Sequence, residues 1–186
     1  RAERLEREKI SKLTLAITEN NIDKVQNYIK EKYNLNSLDA DGNTPLCAAA
    51  VQGNVKIARL LIEKGAALDF PDVDKQTPLH QAVKNNKVEI ITLLLSKGSN
   101  VNMKADSDMT CLHINAVQGN SEITRILLAK GALVNALDSG ASTPLHYAAS
   151  SGFIDIVKIL VEKKADPEMI NSSGQRPIDA AAQNNQ

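Results

Sequence analysis

Three histidines are the residues in this 186-residue chain most open to a chemical reading, and their spacing argues against one. They recur at 33-residue intervals in one phrase: Thr77-Pro78-Leu79-His80, Thr110-Cys111-Leu112-His113 and Thr143-Pro144-Leu145-His146. A fourth copy, Thr44-Pro45-Leu46-Cys47, has a thiol in the histidine's place. An imidazole beside a thiol or carboxylate would suit acid–base or nucleophilic catalysis, and converging imidazoles would suit a zinc ion. A fixed period instead sets equivalent side chains in a row, one stacked repeat apart, at about 10 Å for packed helices. One ion could not be shared over that separation, and no carboxylate is seen to recur alongside the histidines. The expected role is structural, with each imidazole tying its threonine to neighbouring backbone. Ser, His and Asp do not converge on a triad, and no Walker loop, G-x-G-x-x-G, H-E-x-x-H or C-x-x-C occurs. No catalytic residue, metal or cofactor is therefore expected.

The elements that position these residues follow from the same period. Each phrase leads into small apolar residues, then Gly or Asn, then a Leu/Ile-rich run closing on Gly65, Gly98, Gly131 or Lys164. Thr44, Thr77, Thr110 and Thr143 read as N-caps, and Pro45, Pro78 and Pro144 as first helical residues, where a missing N–H costs nothing. A short first helix follows, lined by Ala49, Ala82, Ala148 and Ala149. Asn20, Gly53, Asn86, Gly119, Gly152 and Asn185 tolerate the left-handed conformation of a tight helix-to-helix turn. The second helix has apolar residues at helical spacing: Ile57, Leu60 and Leu61; Ile90, Leu93 and Leu94; Ile123, Ile126 and Leu127; Ile156, Ile159 and Leu160. Lys56, Arg59, Glu63, Asp155, Lys158 and Glu162 mark its solvated face. The phase extends to a degenerate unit at Ser11, Leu13 and Ala16, and to a partial one at 176–182.

This T-P-L-H-x-A pattern at 33 residues resembles the ankyrin repeat over nearly the whole chain. The resemblance implies a mainly α fold, an α-solenoid with a helix-turn-helix and a β-hairpin in each repeat. The expected organisation is a charged lead-in helix at 1–9, a degenerate capping repeat at 10–38, and repeats at 39–71, 72–104, 105–137 and 138–170. A partial capping repeat at 171–186 completes it. It also implies that a protein partner docks on the concave face, formed by hairpin tips and first-helix edges. Placed on this sequence, the tips offer Asp41, Asn43, Asp74, Gln76, Ser107, Met109 and Ser142. The helix edges offer Val51, Gln52, Lys84, Asn85, Val117, Gln118, Tyr147, Ser150 and Ser151. Asn36, Asn102 and Asn135 occupy the position that asparagine hydroxylation targets in some ankyrin proteins.

Phe70, Val73, Met103 and Met109 put large apolar groups on or near successive hairpins, which suggests an interface, although incidental packing would also account for them. Val51-Gln52 recurs as Val117-Gln118, as a repeated contact or a simple duplication. The third full repeat departs from pattern: Cys111 stands in the proline's place, and Asn115 where the others have a small buried residue. Either that amide bonds a neighbouring hairpin or the repeat is locally weak. The sequon Asn171-Ser172-Ser173 reads as a turn.

Bulk composition narrows the partners. Lys plus Arg and Asp plus Glu are each 22, giving zero net charge, and aromatics are only 3% with no Trp. The attraction to phosphate and the stacking platforms of nucleic-acid binders are both lacking. No run is long enough to insert directly into a membrane. Cys47 and Cys111 lie too far apart along a repeat array for a disulfide, which points to a reducing compartment, the cytoplasm or nucleus. The expected function is a non-catalytic, monomeric protein-interaction module. The absence of an initiator Met points to a segment of something larger, so the alternative is a targeting or autoinhibitory arm of an enzyme or channel, or a pathogen effector acting on a host protein.

Overall fold

The computed structural model describes residues 2–183, and those residues form eleven α-helices, one 3₁₀ turn and no strand. Arg1, the expected turn residue Asn185 and the polar residues 184–186 lie outside the described range. The chain divides into two compact units, residues 1–100 and 101–186.

The first unit holds α1 (Ala2–Thr18), α2 (Ile22–Lys30), α3 (Pro45–Gln52), α4 (Val55–Glu63), α5 (Pro78–Lys84) and α6 (Val88–Ser96). First helices pack side by side, α1 on α3 and α3 on α5; each also packs on its own second helix, and α4 packs on α6. Ala49, Ala82, Ile57, Leu61, Ile90 and Leu94 are fully buried between these layers, while Leu60 is half-buried. Lys56, Arg59 and Glu63 are exposed. The charged lead-in is continuous with the first helix of the degenerate repeat, so α1 runs for 17 residues. Its far end is fastened to the following loop: Asn34 N–H donates to Glu6 Oε1 at 3.2 Å, and Ala40 N–H to Ser11 Oγ at 3.0 Å.

The second unit holds the 3₁₀ turn Asp106–Asp108, then α7 (Cys111–Gln118), α8 (Ser121–Ala129), α9 (Pro144–Ser150), α10 (Ile154–Glu162) and α11 (Pro177–Gln183). Here α7 packs on α8 and α9, α9 on α10 and α11, and α8 on α10. Leu112, Ile123, Leu127, Ala148 and Leu160 are buried, whereas Ile126 and Ala149 are half-buried.

Local chemistry explains the helix boundaries. Thr44 Oγ1 accepts from the Cys47 amide at 3.1 Å, and the hydroxyls of Thr77 and Thr143 accept from His80 and His146 amides. Asn20, Gly53, Asn86, Gly119 and Gly152 all have φ between 53° and 86°. The residue after three of these turns is a further cap: Asn21, Asn54 and Asn120 side chains accept from the amides of Lys24, Ile57 and Ile123. Gly65, Gly98 and Gly131 end the second helices at positive φ, and Lys164 adopts the same conformation at φ 69° without glycine's freedom.

The segments expected as β-hairpins are tight loops. Asp39 N–H donates to Asn43 O at 2.9 Å and Gly42 N–H to Asp39 O at 3.2 Å, closing a turn too short for a strand ladder. Single backbone bonds link successive loops within a unit, Val73 N–H to Gly42 O in the first and Ser172 N–H to Gly140 O in the second.

Candidate functional site

Three of the loops are built on a buried carboxylate, Asp39, Asp72 or Asp138. Asp39 Oδ1 accepts the amides of Asp41 and Asn43 at 3.0 and 2.8 Å. Asp72 Oδ1 does the same for Asp74 and Gln76, and Asp138 Oδ1 for Gly140 and Ser142, all between 2.8 and 2.9 Å. Asn171 serves the amides of Ser173 and Gln175 in the last loop. The second carboxylate oxygen reaches a first helix: Thr14 Oγ1 donates to Asp39 at 2.7 Å, Gln81 Nε2 to Asp72 at 2.7 Å and Tyr147 OH to Asp138 at 2.6 Å. A carboxylate therefore does recur beside the histidines, contrary to the expectation, but its acceptor capacity is taken up by the loop it braces. Burial, with Asp138 second, pushes the Tyr147 hydroxyl up to about 12.

His113 and His146 bridge consecutive loops. The Thr110 and Thr143 amides donate to Nδ1 of His113 and His146 at 3.2 and 3.1 Å, which leaves Nε2–H to donate to Ser142 O at 3.1 Å and Gln175 O at 2.9 Å. Only neutral imidazole supplies one acceptor and one donor in this arrangement. Burial holds His113 below its ordinary value of 6.5. Thr77 N–H meets His80 Nδ1 in the same way at 3.2 Å. Cys47 contributes a longer contact to Gln76 O at 3.6 Å, and burial pushes its thiol up to about 12. In the final half-repeat Asp179 takes the histidine's place and accepts from the Arg176 amide at 2.9 Å, the guanidinium holding its carboxyl below the usual range.

Asn36, Asn102 and Asn135 are links between repeats. Asn36 Oδ1 accepts from Ala67 N–H at 2.8 Å, Asn102 Oδ1 from Leu133 N–H at 2.9 Å and Asn135 Oδ1 from Asp166 N–H at 2.9 Å. Asp69 holds the equivalent place and accepts from Ser99 Oγ and the Asn100 amide.

The third full repeat lacks the buried loop acceptor, with Ala105 in its place and Ile114 where the helix partner would be. Its loop closes through the 3₁₀ turn, with Ser107 and Asp108 both at φ 57° and Lys104 Nζ 3.3 Å from Asp108 Oδ2. Asn115 is fully buried, yet its Nδ2 donates neither to a hairpin nor to a neighbouring repeat. It donates to Asn120 O at 2.9 Å and Thr124 Oγ1 at 2.6 Å, so its partners are the turn and second helix of its own repeat.

Against this frame, the candidate contact residues separate by exposure. In the first unit Asp41, Gln52, Phe70, Asp74 and Lys84 are exposed, while Asn43, Val51, Gln76 and Asn85 are half-buried. In the second, Ser107 and Val117 are exposed, and Met103, Met109, Gln118, Ser142, Tyr147, Ser150 and Ser151 are half-buried. Asn43, Gln76 and Ser142 spend their amides on the loops, and Tyr147 its hydroxyl. Val73 is exposed and lies against Gly42, where an added Cβ would come within 2.5 Å of Val73 Cγ1.

Phe70 borders a groove of about 270 Å³ shared with Glu3, Glu6, Arg7 and Leu38, which brings the N-terminal end of α1 onto the loop surface. Arg7 also lines a second groove with Asp41 and Val73. The sequence signal for this was the alternating charge of residues 2–9, which reads as solvated whenever its helix is considered alone. Among the described residues, no group of three or more His, Cys, Asp or Glu could hold a metal ion, and no helix is long and apolar enough to cross a membrane.

A family model described as ankyrin repeats (3 copies) matches residues 13–105 and 103–171. No curated protein matches the chain.

Proposed function

The chain belongs to the ankyrin repeat family, and on that premise we propose that it is a non-catalytic module that holds a protein partner on its loops and first-helix edges. Ankyrin repeats are generally protein–protein interaction modules. The observation that carries the reading is a contrast at the loops. Their polar atoms are consumed internally by Asp39, Asp72 and Asp138, while Phe70 and Val73 remain exposed beside them. Large apolar groups that packing does not use, set on turns held rigid by buried carboxylates, favour a preformed surface that loses little entropy on docking. Asp41, Asp74, Gln52 and Lys84 form its polar margin in the first unit, and Ser107 and Val117 are the exposed counterparts in the second. The module acts as a monomer in the cytoplasm or nucleus, where two buried cysteines outside any disulfide persist, and binds neither nucleic acid nor membrane.

The test compares three versions of the chain as bait, each verified as folded by circular dichroism. One is unaltered, one carries Phe70→Asp with Asp74→Arg, and one carries Arg59→Glu with Lys158→Glu on the exposed second-helix faces. A protein retained by the first and third and lost by the second supports the loop surface. Capture lost only with the third would move the binding face to the second helices.

A further inference from the structure

The second helices of the first unit do not close on one another evenly. Where α4 packs on α6, Leu93 is 6% exposed, and where α8 packs on α10 in the second unit, Ile159 is 3% exposed. Their equivalent on α4, Leu60, is half-buried. It borders a groove of about 360 Å³, lined by Gln26, Ile29 and Lys30 of α2 and by Leu60 and Lys64 at α4. Both walls belong to the first unit. Composition explains the gap. α2 has Lys24 and Asn27 at the repeat positions of Ile57 and Leu60, and Val25 is its buried residue, so it has little apolar surface with which to draw close.

The charges at the rim say what the gap would accept. Lys30 and Lys64 stand at the C-terminal ends of helices that hold the same place in consecutive repeats, so both ammonium groups flank one end of the groove. At the α4–α6 junction the same repeat positions hold Glu63 and Lys97, of opposite charge, and at the α8–α10 junction Ala129 and Lys163. Between α2 and α4 two cations flank an apolar floor that no carboxylate lines, since Glu31 and Glu63 are exposed outside it. Among the described residues neither ammonium has an ion-pair partner. Like charges repel, and an anion placed between them relieves that repulsion.

We infer that this groove is a docking site for an acidic–apolar segment of a protein partner. One large apolar side chain is seated between Ile29 and Leu60, and a carboxylate adjoining it is held by Lys30 and Lys64. From Gln26 to Lys30 the wall is about 6 Å long at the helical rise, which takes one side chain and not a further helix. Charge complementarity supplies the carboxylate, and the family's general role in protein–protein interaction supplies its source. The site lies on second helices, apart from the loop surface, and does not depend on it.

The test titrates the full ¹⁵N-labelled chain with the peptide acetyl-Gly-Glu-Leu-Glu-Glu-Gly-amide. Saturable amide shifts centred on 26–30 and 60–64 are expected, weakening as salt rises. Lys30→Glu with Lys64→Glu reverses two exposed charges, leaves the apolar floor intact and should weaken binding about tenfold. Replacing the peptide's leucine by alanine, or its glutamates by glutamines, should weaken it likewise. Absence of shifts at millimolar peptide, or equal binding by the doubly substituted chain, would overturn the inference. So would equal binding of the alanine peptide, which would reduce the groove to a charged surface, or tighter binding of hexanoate, which would assign it to a free carboxylate. Shifts confined to the loops at 38–43 and 70–76 would remove this site and leave the loop surface standing.

Discussion

His113 shows how one buried side chain can join local capping to long-range packing. Its Nδ1 accepts the amide of the helix cap while its Nε2–H donates to the next loop, and a proton gained at Nδ1 abolishes the first bond while leaving the second. Burial lowers its folded-state value below 6.5, so as the pH falls the unfolded chain takes up the proton first. Its contribution to stability is therefore whole above pH 6.5 and is lost as the pH falls below it. Urea denaturation between pH 5 and 8 should show that acid-side loss, and His113→Gln should flatten it while lowering stability at neutral pH. An unchanged slope in the variant would remove His113 as a cause. Asn115 belongs to the same scale, since its amide protons are satisfied by Asn120 and Thr124 but its Oδ1 is buried without a donor.

At the scale of elements, helix ends were the most legible feature of the chain. Threonine caps, N1 prolines and left-handed turn residues act within three or four positions, so sequence spacing is enough to place them. The exceptions carry a prediction. Lys164 closes α10 at φ 69° and Lys32 closes α2 at φ 57°, where α4, α6 and α8 have Gly65, Gly98 and Gly131. An L-residue is strained in that region, so Lys164→Gly should stabilise the chain by about 0.5–1 kcal/mol. Thermal unfolding would register this as a small rise in Tm, and a fall would mean that the lysine side chain contributes more than its backbone strain costs. The loops were less legible: Asp39, Asp72 and Asp138 are in register, but Ala105 breaks the series so that it did not read as a repeated carboxylate, and the contacts to Thr14, Gln81 and Tyr147 that bury them form only when loop and helix pack.

Within each unit every helix is stabilised by the elements packed beside it, first helix on first helix and on its own second helix. Leu94 is fully buried in α6 of the first unit, and Leu94→Ala should cost about 2–5 kcal/mol, measured from urea midpoints. A loss below 1 kcal/mol would mean that the surrounding helices collapse into the space. Exposure is decided at the same scale: Phe70 and Val73 have ordinary hydrophobic identities, and it is packing that leaves them open to solvent.

The 33-residue period, the helix pairs, their caps and the structural role of the histidines could all be read from residue order, because each rests on short-range geometry repeated in register. Packing alone decided that the segments expected as hairpins hold no strand among the described residues, that Asn36, Asn102 and Asn135 link repeats, that Asn115 pairs with Thr124 and that most of the expected contact residues are partly buried. The asparagine links join atoms 31 positions apart along the chain and the Asn115–Thr124 pair atoms 9 apart, and it is packing between elements that brings such atoms together.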